Sequence, residues 1–441
     1  MFFAVAVLSG LFFIALNPPF GGGDEYFHYQ RTAEVAYLHF LDKESDAPAG
    51  VVAFIDRGYA AISGGPYSRK EYAELAAIPL DAEHRGTLTA GIFTLHHPVA
   101  FLPQAIAFRL GAAVGARPLV LLYVARLAGL IGWLALTWLA IRRLPSHRFA
   151  LTALAILPTS LFFSSFVNAD PVTMGVAFLF IAEMFHAIDT EQPVSGIDIV
   201  KLAVLGLAAA STKGAYAPLA LLALAIPAPR FESAKRRWIS ISAIVLPSLA
   251  AGLGWMWLVK TSFFAGARYE TWGGRAFPDG QAAFVIEHPI AFMRILFDTI
   301  LTTPFIPRAA VGAIAEMGHM SIHLPAIAYL VLSLPLAGAI TLDPTAPRVP
   351  YPWRVRAWGA AVFAGCFTLT MALLYIQWTG YQAPIIRGFQ GRYLLPILPL
   401  LFPLVRPVKW ATPRRARACV ILLALIGLPL ALWALVAQSF G

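Results

Sequence analysis

The sequence predicts an all-α polytopic membrane protein, and three observations carry that prediction. The 441-residue chain is 59% hydrophobic and 13% charged, with a mean hydropathy of +0.70, whereas soluble domains are about 45–50% apolar and about 25% charged. Apolar runs close to the ~20 residues needed to cross a bilayer recur along the chain. Dense Lys/Arg clusters fall between alternate runs, the pattern of cytoplasmic loops. These figures exclude a disordered chain, a collagen-like fibre, a disulfide scaffold and a soluble multidomain enzyme. The net charge of +10 is accounted for by those loops, so no nucleic-acid partner is expected. Cys366 and Cys419 lie in or beside apolar runs and form neither a metal pattern nor a disulfide pair.

The first run, 2–16, lacks the basic start and small-residue cleavage site of a secretory signal, so it reads as the first membrane helix. Further runs lie at about 119–141, 149–167, 171–188, 199–212, 214–228, 238–258, 320–340, 357–378, 393–405 and 418–438. Starting the N-terminus inside puts Arg142, Arg143 and Arg148 on the inner side, then Arg230 with Lys235, Arg236 and Arg237. Arg348, Arg354 and Arg356 follow on the same side, as do Arg406, Lys409, Arg414, Arg415 and Arg417. The expectation is one integral membrane domain, 1–441, with about eleven transmembrane helices. Counting HHPVAFLPQAIAFRLG (96–111) as a span would turn the later basic clusters outward, so it is laid along the outer interface. Two long outer segments result, 17–118 with interfacial helices and 260–318. Loops of that length are usually functional, so the working face is expected outside.

Three clusters on that face carry chemistry. In NPPFGGGDEYFHYQR (17–31), Pro and Gly end the first helix, and Asp24, His28 and Arg31 share one face of the next. A carboxylate there suits a general base towards a hydroxyl; Asp is equally a favoured N-cap residue. A metal reading would need Asp24 and His28 with His96 or His97. In STKGAYAP (211–218), Lys213 interrupts two apolar runs, where it suits either a lipid phosphate or snorkelling from a helix end. In GYQAPIIRGFQGRY (380–393), Arg387 and Arg392 break the inside bias and suit anion binding. Arg126, inside the second run, must meet a carboxylate, a phosphate or water. Asn168 and Asp170 are read as caps of the following helix.

The order of these pieces resembles the bacterial membrane proteins grouped as domain-of-unknown-function family 2142. The matching stretches are NPPFGGGDEYFHYQR, HHPVAFLPQAIAFRLG, LPTSLFFSSFVNADP, STKGAYAPL and GFQGRYLLPILPLL. That family is in turn similar to the C-type (GT-C fold) glycosyltransferases, in which a first helix is followed by an outer loop with interfacial helices and an early catalytic acidic residue. The resemblance implies a polyprenyl-phosphate-linked sugar as donor, a glycan or lipid acceptor, and a site on the periplasmic side of the bacterial cytoplasmic membrane. It puts Asp24 and Glu25 at the acidic pair, either of which could be the base. Lys213, Tyr216, Arg387, Arg392 and Arg126 are expected around the donor phosphate, with His28, Arg31, His97 and Gln390 supporting the acceptor. No cofactor is required and a divalent cation is optional. Two other function classes fit the same composition: a flippase or transporter of a lipid-linked glycan, and a non-catalytic partner in cell-envelope glycan assembly.

Overall fold

The computed structural model describes residues 1–63, 67–89, 91, 96–319, 321–347, 349–408 and 410–440. Arg348 and Lys409 of the predicted inner clusters lie outside the described residues. Among those described, five helices are long and apolar enough to cross a membrane: Pro118–Arg143, Asp170–Asp189, Ala234–Phe264, Trp353–Gln377 and Pro413–Ser439. Pro289–Thr302 and Phe305–Ala315 qualify only together, bent by 74° at the intervening break, so the number is six if that pair is one span. The 260–318 segment, expected as a long outer loop, thus contains a broken apolar helix pair.

The other predicted runs also form helix, but none that is long enough by itself to qualify as a span among the described residues. Phe2–Leu16, Gly196–Thr212 and Ala326–Thr341 have 15, 17 and 16 residues. The 149–167 run splits into Arg148–Ala155 and Pro158–Phe163, with proline opening the second piece. Two runs become 3₁₀ helix: Gly214–Ala225 around Pro218, and Leu398–Leu404 with Pro399 and Pro403. Proline removes a backbone donor and crowds the preceding turn, which breaks up the 149–167, 214–228 and 393–405 runs; among the described residues five or six helices qualify by length and composition, against the expected eleven or so.

The loops predicted as cytoplasmic meet at one end. Glu183 accepts from Arg143 Nε at 2.7 Å and Nη2 at 3.0 Å, and pairs with Lys201 at 2.8 Å. The Val194 N–H donates to Arg230 O at 2.9 Å, and Val408 N–H to Thr341 O at 3.0 Å. Asp343 Oδ2 accepts from the N–H groups of Phe149 and Ala150. Asp170–Asp189 runs through the middle, with 94% of its apolar window buried, so it faces protein on all sides.

Within 17–118, helices Glu25–Ala36, Ala49–Ser63, Arg69–Ala77 and Leu102–Ala113 accompany a two-stranded antiparallel sheet of Glu44–Pro48 and Arg85–Thr89. Their apolar faces form a second core of Phe20, Tyr29, Phe54 and Phe108 with Leu121, Leu122 and Val167. The Tyr29 hydroxyl donates to Pro118 O at 2.9 Å, tying this layer to the start of a spanning helix.

Candidate functional site

Asp24 and Glu25 are neighbours with opposite surroundings. The Pro-Pro-Phe-Gly-Gly-Gly sequence turns the chain sharply after the first helix. Asp24 then takes a left-handed backbone conformation, φ 58°, and its side chain makes no capping hydrogen bond. Its carboxylate is therefore not spent on the cap that its residue type allowed. Gly23 lets this turn pass close to the rest of the site. A Cβ there would lie 3.1 Å from Gly318 O and 4.0 Å from Arg392 Nη1. Burial raises the Asp24 pKa, and the charges of Arg392 and His319 offset part of that rise.

Glu25 points the other way and is fully buried. It accepts Arg126 Nε at 2.7 Å and Nη2 at 2.6 Å, and the Val167 N–H at 2.9 Å. The remaining Arg126 donors go to the carbonyls of Ile14, Asn17 and Pro18. All five guanidinium N–H groups are occupied, which is the full capacity of the side chain. This corrects two expectations. Arg126 has no donor left for a phosphate, and Glu25 is held as the anion of an ion pair rather than as a base.

Four segments converge beside Asp24. Asp170, at the start of the central helix, accepts from Lys213 Nζ at 2.6 Å and lies 3.2 Å from Arg392 Nε. Lys213 stands where the Gly196–Thr212 helix breaks, in extended backbone before the 3₁₀ helix. Its ammonium sits 4.9 Å from the centre of the Tyr393 ring, and the Arg392 guanidinium lies 4.0 Å over Phe163. Both cations thus gain aromatic faces as well as a carboxylate. Gly391 brings Arg392 in: a Cβ there would meet Ala309 O at 2.2 Å, so only glycine lets this turn lie against Phe305–Ala315. Asp170, read from sequence as a helix cap, is the anion that joins Lys213 to Arg392. Asn168, two residues before it, accepts the Asp170 N–H on its Oδ1 at 2.6 Å.

Glu316, which the sequence did not single out, completes the set. It lies in a two-residue strand opposite His323, and its Oε2 is buried without a hydrogen-bond partner. Burial raises its pKa against the pull of Arg392 and His323. Arg392 therefore faces three carboxyl groups: Asp24, Asp170 and Glu316. No local motif marks Glu316; the signal available was an acidic residue in an apolar stretch. His28 is buried beside the cluster, its ring 5.2 Å from that of His96. Burial and His96 depress its pKa, Asp170 acting the other way.

Four expected site residues have different work. Arg31, expected to face the acceptor with Asp24 and His28, is buried and ties loops together through Glu34 at 2.9 Å, Phe40 O at 3.0 Å and His96 O at 3.2 Å. His97 accepts the Val99 N–H at 3.2 Å and caps the next turn, with its ring on Trp255. Tyr216 donates its hydroxyl to Tyr393 O at 2.9 Å, so it holds the Arg392 turn instead of facing a phosphate. Arg387 is exposed, and its backbone N–H donates to Thr379 Oγ1 at 3.0 Å. It does not join Lys213 and Arg392 in the ion pairs among the described residues. Gln390 precedes the Gly391–Leu394 turn, and its Oε1 is buried without a donor. Among the described residues no three His, Cys, Asp or Glu side chains come together as metal ligands.

No curated protein matches the chain. A family model described as a predicted membrane protein, DUF2142, matches residues 7–401, a stretch that takes in Asp24, Asp170, Lys213, Glu316 and Arg392. The chain belongs to that family of predicted membrane proteins.

Proposed function

We propose that this protein is an inverting glycosyltransferase of the GT-C type, moving a sugar from a polyprenyl phosphate to an acceptor hydroxyl at the outer face of the bacterial cytoplasmic membrane. The observation that carries the reading is a carboxylate free of capping duty, Asp24, beside a guanidinium, Arg392, that Asp170 links to Lys213. A raised pKa suits a carboxylate for general-base work, since it brings the group nearer the working pH. In this mechanism Asp24 takes the acceptor hydroxyl proton as the oxygen attacks the anomeric carbon. The bond from that carbon to the phosphate oxygen breaks with inversion, and its electron pair leaves with the polyprenyl phosphate. Lys213 and Arg392 stabilise that departing charge, as fixed cations do best in a water-poor site. Phosphate needs no proton to leave, so no cofactor is required and a divalent cation is optional.

Asp170 occupies the anion position between the two cations, and a donor phosphate would compete with it. The short apolar elements are compatible with the fuller topology of about eleven spans. The Gly214–Ala225 3₁₀ helix, for example, extends roughly 24 Å at ~2.0 Å per residue. The test uses the purified full chain in nanodiscs with undecaprenyl-phosphate-linked radiolabelled glucose, mannose or arabinose and a panel of glycan and lipid acceptors. Release of undecaprenyl phosphate coupled to label in an acceptor is expected, and Asp24→Asn should abolish it. Full turnover by a folded Asp24→Asn protein would overturn the assignment.

A further inference from the structure

A cavity of about 300 Å³, whose lining does not include Asp24, opens between the segment after residue 260 and the loop after Trp353–Gln377, lined by Arg268, Arg275, Ala276, Phe277, Gly380 and Tyr381. Its walls are built by a fixed junction. The hairpin of Tyr269–Thr271 and Gly274–Ala276 is clamped to the helix end. The Gly380 N–H donates to Gly273 O at 2.9 Å, Tyr381 N–H to Arg275 O at 3.0 Å, and the Tyr269 hydroxyl to Gln377 O at 2.8 Å. Gln281 Oε1 accepts the Gln382 N–H at 2.9 Å, a further tie across the junction. The cavity is therefore preformed.

Its charge is unbalanced. Lys260 is matched by Asp279 at 2.8 Å, and Arg275 reaches Glu270 only at 3.9 Å with both side chains exposed. Arg268 has no ion pair among the described residues; its guanidinium carbon lies 4.1 Å over the Phe277 ring. Stacking uses the face of a guanidinium and leaves its N–H groups free at the edge. Phe277 and Tyr381 meet edge to face at 5.5 Å, giving an aromatic wall beside the two cations. Guanidinium edges suit a carboxylate or phosphate, and an aromatic wall suits the C–H face of a sugar ring.

We infer that this cavity is a binding site for an anionic saccharide, a sugar ring bearing a carboxylate or phosphate. The inference is independent of the transfer reaction and stands whether or not Asp24 is a base. Binding is measured on the full chain in nanodiscs of neutral lipid, with glucuronate, glucose 6-phosphate, glucose and inorganic phosphate as probes. Glucuronate or glucose 6-phosphate should bind at least tenfold more tightly than glucose and than inorganic phosphate, with affinity falling as salt rises. Arg268→Gln with Arg275→Gln should weaken that binding at least tenfold, Tyr381→Ala should weaken it on the sugar side, and Asp24→Asn should leave it unchanged. Undiminished binding by the double arginine variant would overturn the site. Glucose bound as tightly as the charged sugars would remove the anion requirement, and phosphate bound as tightly would remove the saccharide; either result overturns the inference.

Discussion

Glu25 and Arg126, 101 residues apart, form a two-pronged ion pair of 2.6 and 2.7 Å with neither side chain exposed. The pair joins the turn after the first helix to the first third of the Pro118–Arg143 helix. Removing one partner from a buried pair costs about 3–5 kcal/mol, because the other charge is left uncompensated. Arg126→Met and Glu25→Leu should each lower the thermal midpoint of the detergent-solubilised protein by several degrees. Arg126→Lys should not restore it, since an ammonium cannot make the fork. A midpoint unchanged in both single variants would contradict this role.

Asp24→Asn is expected to behave in the opposite way. Its side chain makes no capping bond and burial disfavours its charged form, so the neutral amide should not lower thermal stability. Transfer should fall by about 10²–10⁴, the contribution of a positioned general base. Thermal melts and turnover measured on the same preparation separate the two residues.

Asp170→Asn leaves Lys213 and Arg392 without their internal anion and should destabilise the protein. Added undecaprenyl phosphate should recover the lost stability in a dose-dependent way, because a ligand that binds only the folded state stabilises it. Undecaprenol, which lacks the phosphate, should not. Lys213→Ala and Arg392→Lys should weaken undecaprenyl phosphate binding about 10–100-fold, matching loss of a charge-assisted hydrogen bond. Equal rescue of Asp170→Asn by the alcohol would show that the lipid chain, not its charge, is recognised.

Two carboxyls with raised pKa values face Arg392, Asp24 and Glu316. A base must be deprotonated, so turnover should fall as pH drops, with the midpoint above the ordinary aspartate value of 3.8. Glu316→Gln should keep that acid limb if Asp24 is the base. A limb that disappears in Glu316→Gln would move the base to Glu316.

The histidines set the pH dependence of folding. Burial holds His28 well below its usual 6.5, and pushes His96 to about 3 and His97 to about 4. Below pH 6.5 the unfolded chain binds protons that the folded chain refuses, so stability declines as pH falls from 7 towards 5. The slope is at most about 1.4 kcal/mol per pH unit for each histidine. His96→Asn should flatten the thermal midpoint between pH 7 and 5 relative to the parent chain.

Much of the helical layout is legible in the residues. The runs at 119–141, 171–188, 357–378 and 418–438 became Pro118–Arg143, Asp170–Asp189, Trp353–Gln377 and Pro413–Ser439, because length and apolarity act locally. Pro158, Pro218 and Pro399 are visible there too, and they interrupt the runs that contain them. The motifs around Asp24, Lys213 and Arg392 announced themselves as charges at the ends of apolar runs.

What each charge faces was decided only in three dimensions. Asp24 and Glu25 are adjacent and chemically alike, yet one meets Arg392 and the other Arg126, since the left-handed backbone at Asp24 turns the chain just before the helix begins at Glu25. Asp170 looks like a cap in sequence and becomes the link between cations 43 and 222 positions downstream. Glu316 has no motif at all. Local pattern sets period, length and breaks, whereas a buried charge takes the partner that packing brings within reach, and that partner is remote along the chain.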